Sequence, residues 1–294
     1  MNYRQLLAQA EEILENSGNG EARIDAWLLF EYVFNMPRHE YFMKMNESCD
    51  NEELTEAYMD CVKKRCSHVP LQHITGTQDF MGMTFRVNEN VLIPRQDTEI
   101  LVEQVLKAVQ ELKSRKNESD IRVLDMCTGS GCIAISIGKL GGVRVTAVDI
   151  SDKALDVARG NALMNHADTV TFIKSNLFED LRNNMTGNIC EKYDIIVSNP
   201  PYIPSRDIET LMPEVRDFEP RLALDGTEDG LEFYRRITED STDYINEGGW
   251  LLYEIGCDQG NDVKNIMENN GYTGVKVVKD LAGLDRVVMG TNRS

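Results

Sequence analysis

The chain has 294 residues, of which 41% are hydrophobic, and its formal net charge at pH 7 is -18. This length and apolar content allow two domains and a large core, so the fold needs no disulfide or metal to stabilise it. The negative charge argues against non-specific binding to nucleic acid or to an anionic membrane, since both depend on clustered Lys and Arg side chains.

Cysteine usage and the first residues indicate where the protein works. The seven cysteines are scattered, and none forms a Cys-x-x-Cys pair or alternates with the four histidines at the spacing of metal ligands. Residues 1–15 are polar and amphipathic, without the apolar stretch and small-residue cleavage site of a signal peptide. We therefore expect a reduced, cytoplasmic protein with no structural metal and no membrane-spanning segment.

The N-terminal part of the chain has the periodicity of short helices. From Tyr3 to about Ser67 apolar residues recur at helical spacing, which predicts a small bundle. Between Pro70 and Pro94 the pattern changes to short alternating runs broken by glycine. That pattern predicts a β-hairpin, which we expect to link two domains.

The rest of the chain alternates between helical and apolar extended segments. A helix is predicted from about Thr98 to Arg115, and strands alternate with helices from Ile121 onward. The strand candidates are Arg122–Asp125, Arg144–Val148, Val170–Lys174, Asp194–Ser198, Trp250–Ile255, Val275–Val278 and Arg286–Gly290. This order predicts parallel βαβ units in a doubly wound α/β sheet, where ligands bind at the carboxyl ends of the strands.

The first of these strands leads into a turn that contains two glycines. The turn reads Cys127-Thr128-Gly129-Ser130-Gly131 and runs directly into a helical segment. Glycines let the backbone approach a ligand closely, and the N-terminus of a helix offers N–H donors. A tight strand-to-helix connection explains this turn equally well on its own.

Polar side chains also follow the second and third strands. Asp149 ends the second strand, and a carboxylate there can accept both hydroxyl groups of a ribose, which favours a nucleoside-containing cofactor. After the third strand, Asn176 and Leu177 provide a polar and an apolar side chain that could bracket an adenine ring.

The fourth strand ends on Asn199-Pro200-Pro201-Tyr202. The side-chain oxygen of Asn199 and the carbonyl of Pro200 could each accept one hydrogen of an NH2 group, and Tyr202 could lie against its plane. The prolines fix φ and make the loop stiff. A plain Pro-rich turn is the alternative for this tetrapeptide alone, but four motifs in this order on successive strands favour a site.

These motifs resemble those of the class I S-adenosylmethionine-dependent methyltransferases. Among these enzymes the resemblance is to the protein-glutamine N5-methyltransferases of class 1 peptide-chain release factors, the HemK or PrmC family. It covers nearly the whole chain. Besides the Asn-Pro-Pro-Tyr loop it rests on Pro70–Gly76, Leu92–Glu99, Glu219–Gly226, Asp229–Leu231, Glu254–Gly256 and Gly283–Val287.

The resemblance implies a fold, a cofactor and a reaction. The fold is a seven-stranded Rossmann-like methyltransferase domain with one antiparallel strand near the edge. It implies a helical substrate-recognition domain over residues 1–69, a β-hairpin linker over 70–97 and the methyltransferase domain over 98–294. The methyl group of S-adenosyl-L-methionine would pass to the side-chain amide nitrogen (N5) of the glutamine in the Gly-Gly-Gln motif of class 1 release factors.

The resemblance also implies roles for the motif residues. Cys127, Thr128, Gly129, Ser130 and Gly131 would surround the methionine and ribose part of the cofactor. In the same way Asp149 would hold the ribose hydroxyls, Asn176 and Leu177 would flank the adenine, and Asn199 would also touch the cofactor. The implied catalytic residues are Asn199, Pro200 and Tyr202, and together with Pro201 they would bind the substrate glutamine.

Two residues depart from the family pattern, and several charged residues have structural interpretations. The family usually has glycine in place of Cys127, where a Cβ narrows the approach of the cofactor, and an acid in place of Asn176. Arg95 is interpreted either as a guide for the substrate or as half of a structural ion pair. Glu254 and the pair Asp285-Arg286 are interpreted as buried structural charges.

Three alternatives stay open at this point. The first is N5-glutamine methylation of a ribosomal protein, because a sister family shares Asn-Pro-Pro-Tyr. The second is N6-adenine methylation of nucleic acid, since an exocyclic NH2 is a similar acceptor, although the acidity of the chain opposes it. The third is a cofactor-binding module without activity. We expect a monomer that binds a release factor and makes no direct contact with nucleic acid.

Overall fold

A computed structural model describes residues 1–114, 120–181 and 192–293. The chain divides into two compact units, of which the first comprises Met1–Thr77 and Met212–Phe218 and the second comprises Gln78–Leu211 and Glu219–Ser294. The domain boundaries proposed from the sequence, after residues 69 and 97, stay predictions. Among the helices of the described residues, none combines the length and the apolar character needed to cross a membrane.

The first unit is a helical bundle, as the periodicity predicts. Its helices are α1 (Tyr3–Asn16), α2 (Ala22–Phe34), α3 (Arg38–Lys44), α4 (Glu52–Cys66) and α5 (Leu71–Thr75). Helix α1 begins with a capping box, in which the Asn2 side chain accepts from the Gln5 N–H and the Gln5 side chain accepts from the Asn2 N–H. The apolar faces of α1, α2 and α4 meet in one core around Phe30 and Tyr58.

A buried ion pair ties two of these helices to the later segment of the same unit. Arg65 on α4 lies 2.6 Å from Asp25 on α2 and 2.5 Å from Glu214. Arg65 and Asp25 are only 8% and 3% exposed. Because a lone buried charge is costly, each of these side chains depends on its partner.

A β-hairpin follows, as predicted. Strands β1 (Thr77–Phe80) and β2 (Met83–Arg86) form a two-stranded sheet. Between them Met81 and Gly82 both have positive φ, 51° and 73°. Positive φ at both positions is typical of the two-residue turns that match the twist of a hairpin.

The second unit is built on a seven-stranded sheet. Its strands are β3 (Arg122–Met126), β4 (Arg144–Asp149), β5 (Val170–Lys174), β6 (Tyr193–Ser198), β7 (Ile245–Glu254), β8 (Tyr272–Lys279) and β9 (Asp285–Asn292). They lie in the order β5-β4-β3-β6-β7-β9-β8, and β9 is antiparallel to both of its neighbours. The order reverses between β3 and β6, so a ligand site is expected at their carboxyl ends.

Helices and short helical turns connect these strands. They are α6 (Gln96–Lys113), α7 (Cys132–Gly141), α8 (Asp152–Met164), a 3-10 helix (Ile208–Thr210), α9 (Pro213–Arg216), α10 (Arg221–Leu224), α11 (Glu232–Tyr244) and α12 (Gly260–Asn269). Of these, α9 belongs to the first unit and the others to the second.

The sheet has an apolar core on each face. Along β6, Ile195 and Val197 pack into a core that includes Val105 of α6, whereas Ile196 packs into a core that includes Ile237 of α11. Alternation of this kind follows from the two-residue period of a strand. Because β6 is covered on both faces, its run of three consecutive apolar residues, Ile195 to Val197, is explained.

The predicted strands are confirmed, and the sheet with its antiparallel strand agrees with the expected fold class. Several strands are longer than predicted, and β7 runs from Ile245 to Glu254 rather than from Trp250 to Ile255. Helix α6 begins at Gln96, before the predicted start at Thr98. It ends at Lys113, and its predicted end at Arg115 lies outside the described residues.

The buried ion pair of the first unit leads to a stability prediction. We expect Arg65→Met to lower the free energy of unfolding by about 3 kcal/mol, because it leaves the buried Asp25 carboxylate without its cation. Lys63→Met is the matched control, since it removes a cation of the same helix whose partner, Asp60, is exposed. Urea unfolding measures both variants, and equal losses would contradict the prediction.

Candidate active site

A cavity of about 310 Å³ lies at the carboxyl ends of β3 to β6, within the second unit. The predicted site residues that line it are Cys127, Thr128, Gly129, Ser130, Asp149, Asn176, Leu177, Asn199 and Pro201. Gly131, Pro200 and Tyr202 belong to the same turns but are not among the lining residues. The doubly wound topology therefore brings all four sequence motifs to one rim of the sheet.

A hydrogen bond to the buried Asp125 fixes the glycine turn. The Thr128 hydroxyl donates to the Asp125 carboxylate over 2.6 Å, and the Thr128 N–H donates to the Val148 carbonyl over 2.9 Å. Gly131 then begins α7 with a φ of 81°. A Cβ at Gly131 would lie only 3.1 Å from the Cβ of Ala158, so this glycine also allows α7 and α8 to pack closely.

Cys127 adopts a backbone conformation that suits glycine better. Its φ is 63°, in the left-handed region, which costs a residue with a Cβ about 1–2 kcal/mol. This conformation gives a physical reason for the glycine that the family usually has there. Burial raises the pKa of the Cys127 thiol well above its usual range, so the thiolate needed for redox or nucleophilic chemistry is scarce.

Asp149 is fixed by two backbone donors. One carboxylate oxygen accepts from the Gly129 N–H and the other from the Ser151 N–H, each over 2.9 Å. Burial raises the pKa of Asp149, and these backbone hydrogen bonds act in the opposite direction. The Ile150 N–H is a third backbone neighbour of this carboxylate. A carboxylate offers about four acceptor sites, so Asp149 can still accept a hydrogen bond from a ligand.

Asn176 takes part in a small polar cluster at the end of β5. Its side-chain nitrogen donates to Glu179 over 2.7 Å, and its side-chain oxygen lies 3.5 Å from an Arg236 nitrogen that donates to it. Leu177 is buried and has a φ of 51°. Asn176 stands where the family usually has an acid, and Glu179, three residues further along the chain, brings a carboxylate next to it.

The Asn-Pro-Pro-Tyr loop is braced by the segment that follows it. The Ile203 N–H donates to the Leu224 carbonyl over 3.0 Å, and the Gly226 N–H donates to the Ile203 carbonyl over 2.8 Å. The Gln259 side chain donates to the Tyr202 carbonyl over 3.0 Å. These hydrogen bonds hold the loop backbone from two directions and so limit its movement.

Two glycines make this bracing possible. A Cβ added to Gly226 would lie 2.7 Å from the Cα of Tyr202, and one added to Gly230 would overlap the Tyr202 carbonyl oxygen. Both glycines lie in segments that carry the resemblance to the methyltransferase family. Their role there is close packing of one loop against another.

Two arginines near the cavity form ion pairs. Arg95 forms an ion pair of 2.7 Å with the buried Glu219, which agrees with the structural interpretation of Arg95. Arg286 pairs with Asp97 over 3.0 Å and with Asp280 over 3.1 Å. Arg95 also lines the cavity, whereas Arg286 does not.

Sequence reasoning missed several lining residues. Phe233 and Arg236 come from α11, and Leu222 and Ala223 from α10. Leu222 and Ala223 lie in the family-like segment Glu219–Gly226, to which the sequence reasoning assigned no role. Phe233 and Arg236 follow the segment Asp229–Leu231 and belong to no motif.

The packing of Gly230 gives a prediction for the loop. We expect Gly230→Ala to destabilise the protein by about 2 kcal/mol more than Gly82→Ala, because only the first substitution places a Cβ against another loop. Both glycines have nearly the same φ, 74° and 73°, so the cost of backbone strain cancels between them. Denaturant unfolding of the two variants measures the difference, and equal stabilities would contradict the close packing.

Comparisons with known proteins assign the chain to a family. The family described as PrmC N-terminal domain matches residues 5–76, and the family described as ribosomal protein L11 methyltransferase (PrmA) matches residues 103–219. A release factor glutamine methyltransferase of Clostridium acetobutylicum is 40% identical over 98% of both chains. One of Geobacter sulfurreducens is 38% identical over 98% of this chain and 95% of its own.

Among solved structures, the hMettl16 catalytic domain in complex with MAT2A 3'UTR hairpin 6 has a TM-score of 0.55 and 17% identity, over 83% of each chain. At this identity the likeness concerns the fold alone, and it agrees with a class I methyltransferase domain. The sequence relatives match nearly the whole length at much higher identity. The chain therefore belongs to the family of release factor glutamine methyltransferases.

Proposed function

We propose that this protein transfers a methyl group from S-adenosyl-L-methionine to the glutamine side chain in the Gly-Gly-Gln motif of class 1 peptide-chain release factors. The observation that carries the proposal is the position of Asn199, which lines the same cavity as the glycine turn and Asp149. Relatives that match the chain over nearly its whole length are named for this activity.

The cavity fits such a cofactor. Its volume of about 310 Å³ lies in the range of small-molecule sites. The remaining acceptor capacity of Asp149 suits a ribose hydroxyl, and the turn from Cys127 to Gly131 would enclose the methionine part. When bound, the cofactor supplies a methyl group on a positively charged sulfonium.

The adenine end of the cavity offers both polar and apolar contacts. Leu177 and Phe233 provide apolar surface for the faces of a ring. Asn176 also lines the cavity, and its contacts with Glu179 and Arg236 fix its amide group. We infer that this cluster takes the place of the acid that the family usually has after the third strand.

The chemistry required of the protein is mainly positioning. An amide nitrogen is a poor nucleophile, because its lone pair is delocalised into the carbonyl. The Asn199 side-chain oxygen and the Pro200 carbonyl would accept both N–H hydrogens of the glutamine, and Tyr202 and Pro201 would bound the loop around it. Such acceptors orient the nitrogen and stabilise the positive charge that develops on it during transfer.

A second candidate substrate is a ribosomal protein, which the match to ribosomal protein L11 methyltransferase favours. That match covers residues 103–219, and the glycine turn, Asp149 and the Asn-Pro-Pro-Tyr loop all lie within it. The match of residues 5–76 to the PrmC N-terminal domain favours a release factor instead.

We further propose that the protein acts in the cytoplasm as a monomer and without direct contact to nucleic acid.

The test of this function is a methyl-transfer assay with two acceptors. The purified protein is incubated with labelled S-adenosylmethionine and either a class 1 release factor or ribosomal protein L11, and the modified residue is located by mass spectrometry. We expect label only on the glutamine of the Gly-Gly-Gln motif and none on a release factor in which that glutamine is replaced. Label on the ribosomal protein alone would move the function to the second candidate.

Removing the amide acceptor should abolish most of the activity. We expect Asn199→Ala to lower kcat by about 10²–10³-fold, because one preorganised hydrogen-bond acceptor is lost in the transition state. Cofactor binding, measured by calorimetry, should weaken far less than kcat falls. Asn265→Ala removes an exposed asparagine of α12 and is expected to leave kcat unchanged. An active Asn199→Ala variant would contradict the role of this side chain.

Removing the ribose acceptor should weaken cofactor binding instead. We expect Asp149→Ala to raise the Kd of the cofactor by about 10- to 100-fold, which corresponds to the loss of charge-assisted hydrogen bonds worth 1.5–3 kcal/mol. Asp156→Ala, which removes an exposed acid of α8, serves as the control. If calorimetry gives the same Kd for both variants, Asp149 does not bind the ribose.

A further inference from the structure

Glu254 is a buried acid at the end of β7, beside the start of the Asn-Pro-Pro-Tyr loop. Strands β6 and β7 are parallel, and Ser198 pairs with Tyr253 at their carboxyl ends. Asn199 and Glu254 are the residues that follow this pair on the two strands. Their side chains therefore lie side by side on the same face of the sheet. Glu254 is only 2% exposed.

The carboxyl group of Glu254 has few partners. Thr98 and Asn199 are the polar side chains close enough to favour its ionised form. Its Oε2 atom has no hydrogen-bond partner among the residues that the structure describes. A buried carboxylate oxygen without a donor is costly, and the Asn199 side-chain amide, which the strand register places beside it, is able to supply one.

An ionised carboxylate can only accept hydrogen bonds, so it selects one orientation of the neighbouring amide. The NH2 group of Asn199 must turn towards Glu254, and the side-chain oxygen then turns away from it. Asn199 lines the cavity whereas Glu254 does not, so the free oxygen faces the cavity. The reverse orientation would place an NH2 group against the NH2 group of a substrate glutamine.

We propose, on the basis of the glutamine methylation proposed above, that Glu254 is a positioning residue that holds the Asn199 oxygen towards the substrate amide. It acts through Asn199 and touches neither substrate nor cofactor. If the carboxyl group of Glu254 gains a proton, its O–H can donate to the Asn199 oxygen. In that reversed orientation Asn199 turns its NH2 group to the cavity and no longer offers the substrate amide an acceptor.

The charges around Glu254 bring this change into the neutral range. Burial is the largest effect and Asp97 of α6 adds to it, while Arg286 of β9 and the hydrogen bonds from Thr98 and Asn199 oppose it, so that its pKa is raised to about 7. The other groups that face it have raised pKa values and remain protonated at neutral pH: Tyr202, Cys132 and Tyr234. The acceptor geometry is therefore present above about pH 7 and is lost as the pH falls below it.

The first experiment compares the pH dependence of kcat in the wild type and in Glu254→Gln. We expect the wild-type kcat to fall about tenfold for each pH unit below the pKa of Glu254. In Glu254→Gln the amide can donate to the Asn199 oxygen, so kcat should be about 10- to 100-fold lower and nearly independent of pH, with an unchanged Kd for the cofactor. Asp194→Asn is the control, because it removes another buried acid at the opposite end of β6.

The second experiment observes Asn199 directly and needs no methyl transfer. The side-chain NH2 resonance of Asn199, assigned by its absence in Asn199→Ala, should shift with a midpoint near pH 7 in the wild type and not in Glu254→Gln. Asp125, whose pKa burial also raises to about 7, is not a neighbour of Asn199 in the described hydrogen bonds and should not cause this shift. If Glu254→Gln does not fold, Thr98→Val replaces it and should move the midpoint upward, because it removes a donor that favours the carboxylate.

The outcomes separate this role from the proposed function. A wild type that shows the NMR shift but does not methylate the release factor would refute the substrate and leave the positioning intact. A Glu254→Gln variant with a kcat within about threefold of the wild type, or one that keeps the wild-type pH profile, would overturn the role of Glu254. An NH2 resonance that does not move between pH 5 and 9 would overturn it as well.

Discussion

The site depends on the pairing of β6 with β3 on one side and β7 on the other. Val123 pairs with Ile195, and Ser198 pairs with Tyr253, so three parallel strands end at one level. A shift of β6 by one residue would turn its apolar side chains to the opposite faces and carry Asn199 away from the cavity. The packing of these side chains in the cores on both faces of the sheet opposes such a shift, and the stability of the fold thus fixes the position of the Asn199 side chain.

The loop after β6 is rigid for reasons that lie in different parts of the chain. Its prolines restrict φ locally, and Gln259 and the segment around Gly226 hold its backbone from outside. A site that works by orienting a weak nucleophile needs this rigidity, because a displacement of about 1 Å can cost two orders of magnitude in rate. The geometry of the loop therefore depends on residues, such as Gly226 and Gln259, that lie outside the loop.

Much of the fold and the main motifs could be predicted from the sequence. The strands have short apolar runs at regular spacing, and the order of glycine turn, Asp149 and Asn199 places these residues at one edge of a parallel sheet. The contributions of Phe233 and Arg236 could not be predicted, because the sequence does not show which side of α11 faces the cavity. The positive φ of Cys127 was equally hidden, since nothing local distinguishes it from an ordinary turn residue.

The helical unit is discontinuous in sequence, and this limits how the protein can be divided. A fragment that ends at Thr77 contains all the helices of the bundle from α1 to α5 but lacks the returning segment Met212–Phe218. In that fragment Arg65 would lose the Glu214 carboxylate and keep only Asp25. A binding study of the bundle in isolation would therefore describe a less stable body, unless the returning segment is joined to it through an added linker.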